Sequence, residues 1–105
     1  MKESSVMSDR AESIRKQIMR LLQDEEMSAM DLSRRIGIGE KEVYDHLPKV
    51  NRSLTASGAK VEIIPSRCIG CGFIFAKRTR FTEPGRCPKC RGTHIQRPRF
   101  RVRGG

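Results

Sequence analysis

Cys68-Ile-Gly-Cys71 and Cys87-Pro-Lys-Cys90 use every cysteine of this 105-residue chain, with fifteen residues between the two pairs. A Cys-x-x-Cys turn aims two sulfurs at one point. Two such turns complete the tetrahedron of thiolates that a structural Zn²⁺ takes. The interval lies in the range that reads as a zinc site. Paired disulfides are the rival reading and need an oxidising compartment. Residues 1–10 are polar apart from Val6 and Met7, so no apolar leader is read there and the cytosol is the expected location. Gly72 lets the backbone turn behind Cys71, and Pro88 presets the second turn. The second pair is less regular: Arg91 stands where the first has Gly72, and Gly92 comes one residue later. Four thiolates leave no open coordination position, so the predicted site is structural and not catalytic. Iron can occupy the same thiolates as a substitute, which keeps a rubredoxin-like electron carrier among the alternatives.

Charge divides the chain. The net charge is +10. Residues 1–58 carry ten basic and ten acidic side chains, whereas residues 59–105 carry twelve basic and two acidic ones. One-sided positive charge favours a polyanion, nucleic acid above all. No apolar run reaches the length of a membrane span, so no membrane partner is expected. Two histidines in unrelated places and no nucleophile–base pairing argue against an enzyme.

Working outward from the cysteines, the N-terminal half reads as three helices. Asp9-Arg-Ala-Glu12 has the form of a capping box, and Ile14, Ile18, Leu21 and Leu22 recur at helical spacing, giving a helix over 9–24. The acids at 24–26 should fray its end. Ser28-Ala-Met-Asp31 is a second capping box, opening a helix over 28–36 with Gly37 as its left-handed stop. A third helix over 40–57 carries Val43, Leu47, Val50 and Leu54 inward. Pro48 predicts a kink near 44–48 or a fresh helix starting there. Lys60-Val-Glu-Ile-Ile64 and Phe73–Lys77 read as strands, and Ile95 to Arg103 as a last strand that Pro98 restricts to an edge or bulge. One ion shared by Cys68 and Cys90 brings the flanking chain together, so strand 60–66 should pair antiparallel with 95–102.

The resulting expectation is an α+β fold. A three-helix winged helix-turn-helix (residues 1–58, wing strands 59–67 and 93–103) carries a zinc ribbon, residues 68–92, at the tip of its two-stranded wing. Helix-turn-helix spacing runs from Leu32 to Leu47 through Gly37. On the third helix Lys41, Tyr44, Lys49 and Arg52 are candidate nucleic-acid contacts, although Glu40, Glu42 and Asp45 would repel phosphate. Tyr44 packed on the second helix and His46 solvated are the plainer readings. On the last strand Arg97, Arg99, Arg101 and Arg103 share one face, about 6.7 Å apart, with Phe100 and Val102 inward. Guanidinium suits phosphate through two donors. Lys77, Arg78 and Arg80 on the ribbon add to backbone affinity.

The segments Glu42-Val-Tyr-Asp-His-Leu47, Arg67-Cys-Ile-Gly-Cys-Gly-Phe-Ile-Phe75, Arg86-Cys-Pro-Lys-Cys90 and Pro98-Arg-Phe-Arg101 make the chain resemble a known family. These are inferred archaeal and bacterial transcriptional regulators that fuse an N-terminal helix-turn-helix to a C-terminal rubredoxin-like zinc ribbon. The resemblance runs over residues 10 to 103. It implies a winged helix, zinc at Cys68, Cys71, Cys87 and Cys90, and a DNA-binding role. RNA binding, or a protein adaptor of the transcription machinery, are the alternatives. The helical half, with its own apolar stripes, is expected to keep its fold without the ribbon.

Overall fold

A computed structural model describes residues 2–104, with side chains from Arg10 onward. Three helices, α1 (Lys2–Asp24), α2 (Ala29–Ile36) and α3 (Glu40–Ala56), pack on a small sheet. Helix α1 begins at Lys2, so the start expected at Asp9 lies inside it; the Asp9 side chain is outside the described residues. Ile14, Ile18 and Leu22 form the buried stripe of α1. The acids that follow are taken up by arginines: Glu25 pairs with Arg35 at 3.6 Å, and Glu26 with Arg99.

Ser28 caps α2 reciprocally. Its hydroxyl accepts from the Asp31 amide, and the Asp31 carboxylate accepts from the Ser28 amide, both at 3.1 Å. Gly37 ends the helix at φ 85°. Helix α3 continues unbroken through Pro48, so no fresh helix begins there. Burial of Val43, Leu47, Val50 and Leu54 on one side offsets the lost hydrogen bond.

Strands β1 (Met27–Ser28), β2 (Ala59–Ile64) and β5 (Arg99–Gly104) form one antiparallel sheet in the order β1-β5-β2. Val61 lies opposite Val102, and Ile63 opposite Phe100, which also faces Met27. Fully buried Phe100 thus joins both strand pairs to the helices. The free edge of β2 is partly capped, since the Val61 amide donates to Asn51 Oδ1 at 2.8 Å.

The single last strand expected over Ile95–Arg103 is two. Strand β4 (Ile95–Gln96) pairs with β3 (Arg67–Cys68) in a separate two-stranded sheet, and β5 is the centre of the other, not an edge. Pro98, fully buried, sits at the break and has no amide to donate. Nor is Phe73–Lys77 a strand. It makes one isolated antiparallel bridge, Arg67 to Ile74, flanked by the Cys68 amide donating to the Phe73 carbonyl and the Phe75 amide donating to the Ser66 carbonyl. No helix among the described residues is long and apolar enough to cross a membrane.

Candidate metal centre and basic surfaces

The two cysteine turns are built alike. In the first, the Cys68 amide donates to the Phe73 carbonyl and the Gly72 amide to the Cys68 carbonyl, both at 2.8 Å. In the second, the Cys87 amide donates to Gly92 at 2.9 Å and the Arg91 amide to Cys87 at 2.8 Å. The pattern needs a left-handed residue four positions after the first cysteine of each turn. Gly72 supplies it at φ 82°, and Arg91 adopts it at φ 63° despite its side chain. Gly92 answers a different need. Its amide donates to Cys90 Sγ at 3.4 Å, and a Cβ there would lie 3.3 Å from the same sulfur.

The four sulfurs lie within 4.8 Å of one another. Cys68 and Cys90 approach to 3.5 Å, and Cys71 and Cys87 to 3.6 Å. A tetrahedral zinc–thiolate site has sulfur–sulfur edges of about 3.8 Å, so the residues fit such an ion. Cys68 and Cys87 are buried, while Cys71 and Cys90 are exposed. Burial pushes the Cys87 thiol up, but amides of Cys90 and Lys89 donating to Sγ outweigh it and hold it at about 6. The Phe73 amide lowers Cys71, yet burial and three neighbouring sulfurs push it up to about 11. Cys71 and Cys87 are thus pushed in opposite directions by the same crowding of sulfurs. Such a cluster calls for a cation. His94 is exposed and stands outside the group.

The basic candidates separate into distinct surfaces. At about 100° per residue, Lys41, Asp45, Pro48, Lys49 and Arg52 share the outward side of α3, and all five are exposed. The other two acids are drawn aside. Glu40 accepts from Arg97 Nε at 2.8 Å, and Glu42 lies 3.5 Å from His46 Nε2. His46 is buried and also meets Arg15 at 3.5 Å, so it is not a solvated surface residue. Tyr44 is half-buried against the core, its hydroxyl turned to Glu40 at 3.4 Å. Burial, then the charges of Glu40 and Glu83, push its pKa up to about 12.

Arg97 does not share a face with the strand arginines. It lies between Glu40 on α3 and Glu83 on the ribbon, 2.8 and 3.9 Å away. Arg99, Arg101 and Arg103 alternate with Phe100 and Val102 and stand on the sheet face turned away from the helices. Glu62 accepts from Arg101 and Arg103 at 2.6 Å each. On the ribbon Lys77 and Arg80 are exposed, but Arg78 bonds Thr82 and the Glu83 carbonyl within its own loop. The Arg97 bridge spans 57 residues of sequence, and no local pattern announces it. A second link is Phe81, whose ring lies 5.9 Å from that of Phe100.

Fold and site together define a small α+β protein with an inserted four-cysteine ribbon. Residues 13–61 match the PF0610-like N-terminal family, and residues 65–104 match the PF0610 rubredoxin-like zinc beta-ribbon domain. The solution NMR structure of protein PF0610 from Pyrococcus furiosus is similar at 30% identity and a TM-score of 0.73, covering 89% of this chain and 90% of that one. The chain belongs to the PF0610-like family. No curated protein matches it significantly.

Proposed function

We propose that the chain is a winged helix-turn-helix DNA-binding protein of the cytoplasm, acting in transcription regulation, with a structural zinc and no enzymatic activity. The element order supports the reading: a short strand follows the first helix, and a strand pair follows the third and packs beside it. The ribbon stands where the wing's tip turn would be. Zinc is the metal that four thiolates at these spacings suit best.

The observation that carries the DNA reading is the outward side of α3. Lys41, Lys49 and Arg52 face solvent there with one acid, Asp45, because Glu40 is paired with Arg97 and Glu42 projects from another side of the helix, beside His46. The acidic character of the helix in sequence is therefore not the character of its exposed side. Lys77 and Arg80 add phosphate contacts from the ribbon. Tyr44 positions α3 and does not read bases, its hydroxyl being occupied by Glu40.

Anisotropy of a labelled random duplex, measured over a salt series with zinc-loaded protein, tests the reading. Lys49→Ala and Arg52→Ala should each lower the log–log salt slope by about one. Absence of duplex binding at low salt, or wild-type slopes in both variants, would refute it.

A further inference from the structure

A second surface shares only Lys77 with the DNA reading. Residues Phe73-Ile-Phe-Ala76 put three large apolar side chains in succession on the ribbon. None of them belongs to the core that Phe81 and Phe100 enter. Ile74 is 56% exposed. Phe73 and Phe75 pack edge to face, with centroids 5.0 Å apart and rings at 89°. With Ala76, Lys77 and Pro88 they line an open hollow of about 440 Å³. The hydrogen bonds around the first cysteine turn dictate this exposure. Phe73 must turn its carbonyl to Cys68, and the Phe75 amide donates to Ser66 at 3.0 Å, so the backbone is fixed with Ile74 outward. Exposed apolar clusters of this kind mark interaction sites.

Charge limits the occupant. Residues 65–94 hold seven basic side chains and one acid, Glu83. Four thiolates around a divalent cation return only two negative charges, so the ribbon stays positive. A second copy of the same patch would be repelled. The most exposed anchor is aliphatic, and the two rings cover each other edge to face, so a platform for stacked bases is poorly offered. We propose that the Phe73–Lys77 hollow docks an acidic amphipathic protein segment, its apolar side chains in the hollow and its carboxylates on Lys77 and on Lys89, which follows the lining residue Pro88 in sequence.

Three synthetic peptides test this against the full, zinc-loaded chain by heteronuclear NMR titration. One alternates leucine with aspartate and glutamate, one keeps the acids and replaces leucine by serine, and one keeps leucine and replaces the acids by lysine. The first should shift amides of residues 73–77 and bind at least tenfold more tightly than either control. Ile74→Asp should cost about tenfold, as expected from losing one buried isoleucine contact, and Lys77→Glu should also weaken it. Both side chains are exposed, so zinc content and helical circular dichroism should be unchanged. Equal binding of the three peptides, unchanged affinity in Ile74→Asp, or shifts at 73–77 produced by a single-stranded oligonucleotide and not by the acidic peptide would each overturn the proposal. Wild-type duplex affinity in Ile74→Asp would separate this surface from the one on α3.

Discussion

Removing the metal, by chelation or by Cys87→Ser, should destabilise the helical half as well as the ribbon. Strand β5 is the centre of the three-stranded sheet, yet it follows the ribbon in sequence. With an ion on Cys68 and Cys90, the loop between β2 and β5 is short-circuited to about 13 residues. Without it, about 34 flexible residues must be closed, at an added cost of about 0.9 kcal/mol. The Phe81–Phe100 contact, 5.9 Å between centroids, loses its fixed partner for about 0.5–1.5 kcal/mol. The Arg97 bridges are part-exposed on both partners and add about 0.2–1 kcal/mol. The total is about 2–3 kcal/mol. A domain this small has about 5–15 kcal/mol to lose, so the helices should remain folded at room temperature and melt about 10–20 °C lower. Thermal melts followed by helical circular dichroism, with and without chelator, measure this. An unchanged midpoint would mean that the halves are independent and that the Phe81 and Arg97 contacts carry no coupling. Complete loss of helix at room temperature would mean that the metal supports the whole core.

Two further outcomes follow from local geometry. Arg91→Gly should relieve the left-handed backbone at φ 63° and stabilise the metal-bound ribbon by about 0.5–1 kcal/mol, whereas Arg91→Ala should not; competition with a chromophoric chelator ranks the three proteins, and equal ranking of glycine and alanine would refute the strain. Tyr44 is the only tyrosine and there is no tryptophan, so tyrosinate absorbance reports one residue. Its ionisation should lie near 12 in the folded protein and about 10 in denaturant. Because the folded value is the higher, this contribution to stability is complete below about pH 10 and is lost as pH rises through 12. A native midpoint near 10 would place Tyr44 in solvent.

What the sequence made legible is what short-range chemistry decides. The cysteine spacing, the Ser28–Asp31 cap and the Gly37 stop each need only a few neighbouring residues, and each stands as read. The antiparallel partnership expected of 60–66 with 95–102 from the shared ion is found in the three-stranded sheet over 59–64 and 99–104. Alternation misled in the last strand. Arg97 to Arg103 alternates without interruption, but the chain changes sheets at buried Pro98, and period-two patterning carries no mark of that change. Helix α3 runs through Pro48 as one helix, close to the span of 40–57 expected for it. Least legible were the ion pairs that set charge on each surface. Glu40–Arg97 and Glu26–Arg99 join residues far apart in sequence, so a count of acids along α3 could not reveal which ones remain free.

The same pairing changes what the arginine strand can do. Strand alternation places Phe100 toward the helices and Arg99, Arg101 and Arg103 away from them. A straight duplex lying along the outward side of α3 therefore does not also lie on that sheet face. The three arginines and Lys60 share the face with Glu62, and Glu26 reaches it through Arg99, leaving a formal charge near +2 spread over exposed pairs. Such pairs are individually weak, about 0–1 kcal/mol, and can yield to a phosphate. Arg99→Ala combined with Arg101→Ala thus separates two geometries. If one duplex occupies α3 alone, the double variant should keep wild-type affinity and salt slope while Lys49→Ala does not. If the slope instead falls by about two, the polyanion bends around the sheet edge or a second one binds the outer face. The stoichiometry of the titration then tells these apart: one duplex per protein requires bending, and two require separate sites.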